Sequence, residues 1–579
     1  MEHTSYDVVI CGGGLAGLTL ARQLKLSNEK ISVLILERND TPLREAACKV
    51  GESTVEIAAF YFRELLQLGN YFKNEQLVKC GLRYFFREDE HEFANYKEIG
   101  LAGFSSVDSY QIDRGKFEND LHFIARMAGV DILNGVVIKE IVVNKDGGRH
   151  KVSYEAGDGS IRTVDCMWVV DASGRRSFLQ KQFGLRRKVD SDCSAVWFRV
   201  KGRLDLNDFV PAENKSWHLR VPQKVRYYST NHIMGKGYWI WLIPLVNNYT
   251  SVGVVFDEKY YPYSDLNSLD KSMSWIRERE PVIADHISSY EVLDFLALRY
   301  YSYSSDKVFS SDRWACTGEA ALFPDPFYSP GSNLIGFGNT MITSLISEYF
   351  RTGKVSEEEV SYYNEFIISQ NNWLIYDIQS SYGYFGNSQV ESLSYIWDVL
   401  VGWTINAPQL FNLIFLDPEK RQRIQKEIQS FSRIAFKVRK LFVEWSKVSR
   451  RSFSFEYIDY LGIPFIRELY ERVLRSGKTV EELADDYRVA MGRIEEFVHV
   501  LFRLIIEDCM PEMLHRLPDP YWINIKSVSL SPDKWEIDGL FEPPTARRDL
   551  GVVDREIRQL YTFKKEAVVP SPKNLASHA

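Results

Sequence analysis

The sequence predicts an α/β protein with a helical C-terminal region, and three observations predict it. A β-branched run, a glycine-rich turn and an amphipathic segment open the chain; strand-like runs with further Gly/Asp/Arg turns follow to about residue 355; from about Ser356 long helical periodicity takes over. The 579 residues allow about three or four structural units. With 71 Lys+Arg against 78 Asp+Glu, the net charge of −7 gives no overall basic footprint for nucleic acid. Seven widely spaced cysteines without a CxxC predict neither a disulfide framework nor a zinc site, and fit a reducing cytoplasmic setting.

The first element is the strand Tyr6 to Cys11, followed by Gly12-Gly-Gly14-Leu-Ala-Gly17 and the helical LTLARQLKL. A second strand, Ile31 to Leu36, ends at Glu37, 20 residues after the last glycine and just before Arg38. Strand, turn, helix, strand and acid together match a Rossmann-like dinucleotide fingerprint. Gly12 serves the tight turn, Gly14 the close approach of a pyrophosphate, and Gly17 the packing of helix on sheet. The helix N-terminus presents its positive dipole end to phosphate, and Glu37 can accept hydrogen bonds from ribose hydroxyls.

Next comes Gly51-Glu52-Ser53-Thr54-Val-Glu56, whose Ser53 and Glu56 read as a capping box for a helix through Phe62. Lys79 follows in Leu77-Val-Lys79-Cys-Gly-Leu-Arg83. Ser109-Tyr-Gln111-Ile-Asp113-Arg114 opens a helix, and the strand ending at Asp171 runs into Ala-Ser-Gly174-Arg-Arg. Trp239-Ile-Trp241-Leu-Ile243-Pro244 is an aromatic strand with both tryptophans on one face. Finally Thr317-Gly318-Glu319 precedes Asp325-Pro326-Phe327-Tyr328-Ser329-Pro330-Gly331-Ser332-Asn333, and an apolar helix is expected from about Leu334.

Over roughly residues 6 to 345 these segments resemble the FAD-dependent aromatic hydroxylase superfamily and, within it, the flavin-dependent (tryptophan halogenase-like) halogenases. The most particular element is the Trp239–Pro244 run, similar to the family's WxWxIP signature, with the preceding glycine displaced to Gly237 by Tyr238. The resemblance implies a Rossmann-like FAD-binding domain in three parts (1–105, 106–185 and 306–355). An inserted antiparallel β-sheet substrate domain (186–305) completes it; beyond the resemblance, helical periodicity predicts a helical C-terminal region (356–569) and the polar, Pro-containing terminus a disordered tail (570–579). The resemblance implies that Gly12, Gly14, Gly17, Glu37 and Arg38 hold the ADP half of FAD, that Asp171 and Gly174 support it, and that Ser53, Gln111, Glu319, Pro326, Gly331 and Asn333 lie along ribityl chain and flavin. Trp239, Trp241 and Pro244 would line the substrate pocket. Lys79 stands where halogenases carry the lysine that captures or directs hypohalous acid, with Tyr328 and Ser329 as the other catalytic candidates; without the family, Lys79 and Arg83 read equally as a solvated pair on a sheet edge.

Three departures shape the implied activity. Tyr328 replaces the glutamate that tryptophan halogenases use to polarise indole, which favours a phenol- or pyrrole-like substrate, free or tethered to an acyl carrier protein. Pro330 lacks the N–H that a halide-binding loop would offer, and Glu319 replaces the usual aspartate. Two enzymatic readings therefore stay open: a halogenase using reduced FAD, O2 and chloride or bromide, or a monooxygenase or oxidase of the same fold. No second glycine fingerprint is present, so reduced flavin is expected from a separate reductase.

In the C-terminal region Ile424, Ile428, Phe431, Ala435, Val438, Phe442 and Trp445 form a packing stripe. Between Lys420 and Arg451 eleven Lys/Arg stand against Glu427 and Glu444, a local net of +9 that reads as a solvated face or as a docking surface for an acidic partner. No metal-ligand spacing, membrane span or secretory signal is read from the sequence.

Overall fold

The computed structural model describes residues 5–564 except Ala46, Cys48, 88–90 and 519–521; the tail expected over 570–579 lies outside the described residues. The first half of the chain runs β1 (Ser5–Cys11), α1 (Leu15–Ser27), β2 (Val33–Leu36), α2 (Glu56–Phe60), β3 (Leu77–Lys79), β4 (Leu82–Phe86), β5 (Lys97–Ile99), β6 (Ser109–Gln111), α3 (Arg114–Met127), β7 (Asp131–Leu133) and β8 (Ile161–Asp171). Then come β9 (Cys193–Lys201), β10 (Thr230–Gly235), β11 (Tyr238–Pro244), β12 (Tyr249–Asp257) and β13 (Trp314–Cys316). The long helices α4 (Gly331–Thr352), α5 (Glu357–Ser381), α6 (Ser388–Val401), α7 (Pro418–Val448) and α8 (Val480–Cys509) follow.

Two sheets organise this α/β body. The first has the parallel order β13-β8-β1-β2-β7, as a Rossmann-like unit requires, because each right-handed crossover returns the chain parallel to its predecessor. Val8, Val9 and Ile10 of β1 are wholly buried, the signature of a strand covered on both faces. The second sheet has the central order β9-β12-β11-β10-β4-β5, antiparallel except where β4 lies parallel to β10, and the short strand Tyr457–Ile458 adds a further parallel edge on β5. Along β11, Trp239, Trp241 and Ile243 share one face and Tyr238, Ile240 and Leu242 the other, and both faces are buried.

The structure departs from the sequence expectations at four places. Strands β4 and β5 fall within the segment 1–105, yet they extend the second sheet rather than the first, a pairing between residues about 150 apart that no local pattern encodes. Ser109–Gln111 is a short strand against β3, and the helix behind it starts only at Arg114, capped by Asp113, whose carboxylate accepts from Lys116 N–H at 3.0 Å. The expected capping box does not form: Val55 caps α2 without a side-chain hydrogen bond, because the Ser53 hydroxyl is engaged by Lys79 and Thr230. Helix α4 begins at Gly331, three residues before the expected Leu334, since Pro330 takes the N-cap.

Candidate active site

One cavity of about 630 Å³ runs between the two sheets. At its nucleotide end the glycines divide by role. A Cβ on Gly12 (φ +126°) would sit 2.3 Å from Ala172 O, and one on Gly17 only 2.0 Å from Gly12 O, so both are required by backbone packing. Gly14, Gly174 and Gly331 line the cavity beside Gly12, and an added Cβ there would meet no atom within 4 Å. They form a cradle whose empty side faces the cavity, the shape a pyrophosphate and ribityl chain need. Gly14 caps α1 without any side-chain hydrogen bond, which leaves the first-turn amides for a ligand.

Glu37 and Arg38 close this end. Glu37 Oε2 accepts from Gly13 N–H at 2.6 Å and Oε1 from Asn39 N–H at 2.8 Å, which fixes the carboxylate while each oxygen keeps a second lone pair for a hydroxyl. Asp171 does not reach the wall. Fully buried, it accepts from Ser173 N–H, Ser173 Oγ–H and Leu179 N–H, shaping the turn that places Ala172 to Arg176 there. Burial pushes its carboxyl above the usual range, and these hydrogen bonds oppose that. Glu319 is on the wall, 3.9 Å from Arg175.

In the middle of the cavity, residues 324–331 form a loop in which Ser329 adopts φ +54°, an uncommon conformation for a residue with a Cβ. Ser329 Oγ donates to Ser53 Oγ at 3.1 Å, and both residues line the cavity. Lys79 stands directly behind them. It is 1% exposed, and its Nζ donates to Ser53 Oγ at 2.9 Å and to Thr54 O at 2.6 Å. Burial lowers its pKa to about 7, against the opposing charge of Glu56, so the charged form of the amine is disfavoured. The solvated-pair reading fails here, for Arg83 is also fully buried and forms an ion pair with Glu98.

Pro330 costs the loop one N–H, but as N-cap of the 22-residue α4 it leaves the amides of Gly331, Ser332 and Asn333 at the helix's positive end. Asn333 does not line the cavity; its Oδ1 is buried with no donor among the described residues. Gln111 is likewise behind the wall, hydrogen-bonded at 2.9 Å to Thr230, which lines it.

The far end is aromatic. Trp239, Trp241, Trp197, His232 and Tyr301 line it; Pro244 does not, its place being taken by Ile243. Trp239 Nε1–H donates to Tyr382 OH (3.1 Å), and the Tyr382 and Tyr301 hydroxyls donate to Asp325 Oδ2 at 2.8 and 2.7 Å. Burial raises Asp325 to about 6. His232, lowered to about 3 by burial, is neutral, with Nδ1–H donating to Arg83 O at 3.1 Å.

Tyr328 turns away from the cavity. Its hydroxyl donates to Asp398 Oδ2 at 2.7 Å, and Asp398 Oδ1 is held by the buried Arg439, which also binds Asp377. Sequence reasoning missed Asp398 and Arg439, which lie 70 and 111 residues beyond Tyr328 on helices whose inward positions look like any other. It missed His232 and Thr230 too, which a period-two reading of β10 would have placed on the Trp239 face. Asp325 stood in the quoted loop but was not singled out.

A family model described as an FAD binding domain matches residues 5–334. The chain is 30% identical over 379 residues to the flavin-dependent halogenase chlA of Dictyostelium discoideum, covering 59% of this chain and 60% of that protein. It is 28% identical over 392 residues to a 1H-pyrrole-2-carbonyl-(peptidyl-carrier protein) chlorinase of Pseudomonas fluorescens, covering 64% and 83%. The match thus spans less than two thirds of the Dictyostelium protein's length. In fold, the chain is similar to halogenase PltM (TM-score 0.60, 17% identity, 85% of this chain and 96% of that one). It is also similar to a flavoprotein/dehydrogenase from Cytophaga hutchinsonii (TM-score 0.53, 21% identity, 68% and 88%).

Proposed function

The chain belongs to the FAD-binding-domain family, within its flavin-dependent halogenase branch, and on that premise we propose that it is an FAD-dependent oxidoreductase that halogenates an electron-rich phenol- or pyrrole-like ring. Bound reduced FAD, delivered by a separate cytoplasmic reductase, would supply the electrons with which O2 turns chloride or bromide into hypohalous acid. Gly12, Gly14, Glu37, Arg38 and the turn shaped by Asp171 hold the ADP half, and Gly331 and Ser332 offer their amides where negative charge gathers.

The observation that carries the reading is the placement of Lys79, a water-excluded amine joined through Ser53 to Ser329 of the cavity loop. A neutral amine takes up electrophilic halogen, and its burial keeps that halogen from water. Ser53 and the Thr54 carbonyl orient Nζ. Tyr328, tied to Asp398, supplies no free carboxylate at the place where a tryptophan-directed enzyme would need one. A tethered substrate is supported by the carrier-linked substrates named for two relatives.

One observation favours a second reading, direct oxygenation. Trp239 and Trp241 line the same cavity as the Ser329 loop, so an aromatic ring admitted there would meet the flavin without passing Lys79. Mass spectrometry of products formed with FAD, a flavin reductase, NADH, O2 and bromide, on free and carrier-bound phenols and pyrroles, separates the two. A bromine isotope pair that disappears in Lys79→Ala is expected; a gain of oxygen indifferent to bromide and to Lys79 would establish the second reading instead.

A further inference from the structure

Helix α7 has two faces with different tasks. Its inner face carries Arg439 to Asp398, which accepts from Tyr328 beside the cavity loop, so the helix lies directly behind the site. Its outer face is basic, and the structure sorts the nine cations of the sequence that lie on the helix, Arg450 and Arg451 following its end at Val448. Arg421 pairs with Glu359, Arg439 is internal, Lys420 is 3.9 Å from Asp417 and Lys440 is 3.6 Å from Glu444. Arg423, Lys426, Arg433, Lys437 and Lys447 are exposed, and among the described residues none has a carboxylate within 4.0 Å. Their spacing puts them on one stripe of the helix.

Beside the middle of that stripe lies an aromatic patch. Phe436 is 53% exposed and Tyr376 of α5 is 42% exposed; the Phe436 ring packs edge-on against Trp373 at 4.8 Å and lies 5.4 Å from Tyr376. Exposed aromatic anchors beside unpaired charge have the composition of an interface that awaits its partner. From the patch a groove of about 1200 Å³ runs inward, sharing Tyr376 and Lys447 with it. Its floor includes Gln379, which donates to Asp257 at 3.0 Å and accepts from Cys193 Sγ at 3.1 Å. Cys193 neighbours Tyr382, the residue that donates to Asp325 on the cavity wall. The groove therefore ends behind the aromatic end of the cavity, with the Cys193 and Tyr382 side chains between its floor and Asp325.

Resting on the proposed function, we infer that the outer face of α7 and the adjoining end of α5 dock a small acidic protein domain that brings the ring substrate on a flexible tether, with the tether lying in the groove. The stripe supplies charge complementarity and steering, the aromatic patch the desolvated anchor, and the groove a seat for the tether against the outer side of the cavity wall. A nucleic acid or an anionic membrane would match the charge but has no use for the inward groove.

The test uses the full-length FAD-loaded protein and, as probes, a panel of acidic carrier domains bearing a pyrrole-2-carbonyl thioester. Binding is followed by fluorescence anisotropy at low and high salt, beside turnover of free phenols and pyrroles. The triple variant Arg433→Glu/Lys437→Glu/Phe436→Ala is compared with Arg277→Glu, elsewhere on the surface. At least tenfold weaker carrier binding in the triple variant, salt-sensitive binding in the parent, and unchanged free-substrate turnover in both variants are the expected results. Parental affinity in the triple variant, or no carrier binding at all, overturns the inference, as does stripe-dependent binding of phosphatidylglycerol vesicles or single-stranded RNA in its place. Carrier binding that depends on the stripe without any halogenated product would instead count against the proposed function and leave the docking surface standing.

Discussion

Replacing Lys79 by methionine is expected to remove halogenation while making the protein more stable at neutral pH, and the pH dependence of that gain tests the reasoning. The amine's pKa falls from 10.5 to about 7 on folding because burial disfavours its charge. Between those values the unfolded chain holds a proton that the folded one has lost, so the parent gains stability as pH rises, by about 1.4 kcal/mol per unit. At and below pH 7 the lysine costs the fold about 5 kcal/mol on this basis, offset by about 1–3 kcal/mol from its hydrogen bonds to Ser53 and Thr54. Methionine of similar length removes both. The variant should therefore be more stable by a few kcal/mol at pH 6.5, and the advantage should shrink by about 3 kcal/mol at pH 9.5. Urea denaturation of both proteins at the two pH values measures the difference, since groups distant from Lys79 cancel. Glu56, raised by burial and lowered by the lysine's charge, titrates differently in the two proteins, so Glu56→Gln belongs in both backgrounds. A stability difference that is flat with pH would refute a depressed lysine and leave an ordinary ammonium, unable to act as a neutral amine.

Further expectations concern the cradle and the buried charges. Gly17→Ala should lose about 3 kcal/mol in denaturation, because its Cβ meets Gly12 O at 2.0 Å, whereas Gly14→Ala should fold normally and bind FAD at least tenfold more weakly by flavin fluorescence titration. Arg439→Met should cost about 3–5 kcal/mol at pH 8 and less at pH 5, where Asp377 and Asp398 can take up protons in its absence; guanidinium melts at both pH values decide it. Asp325 titrates near 6 when folded against an ordinary 3.8, so the parent loses stability as pH rises through that window. Asp325→Asn should accordingly gain about 2 kcal/mol on the parent between pH 4.5 and pH 8, and parallel pH profiles would contradict the raised pKa.

The parts of the site that the sequence made legible are those written in short runs. Gly12, Gly14 and Gly17 are spaced for one turn, Glu37 ends the next strand, and Asp325 to Gly331 form one loop. In each case backbone geometry and chemistry are carried by neighbours in the chain, and the structure puts Gly12, Gly14, Glu37, Ser53, Ser329 and Gly331 on one wall. Local rules misled where a side chain had a distant competitor. Ser53 and Glu56 have the spacing of a capping box, but the Ser53 hydroxyl is claimed by Lys79 and Thr230, 26 and 177 residues away.

By itself the sequence determined the α/β class, the dinucleotide cradle and the helical C-terminal third, because periodicity, glycine spacing and caps act over a few residues. Only the tertiary structure decided that β4 and β5 belong to the second sheet, that Lys79 is dry and its charge disfavoured, that Tyr328 answers to Asp398, and that of the nine cations on α7 four have carboxylate partners and five are left outward. Each of these depends on what lies across a contact between distant segments, and burial, which sets the pKa of an amine and the worth of an ion pair, is a property of the packed chain and not of any stretch of it.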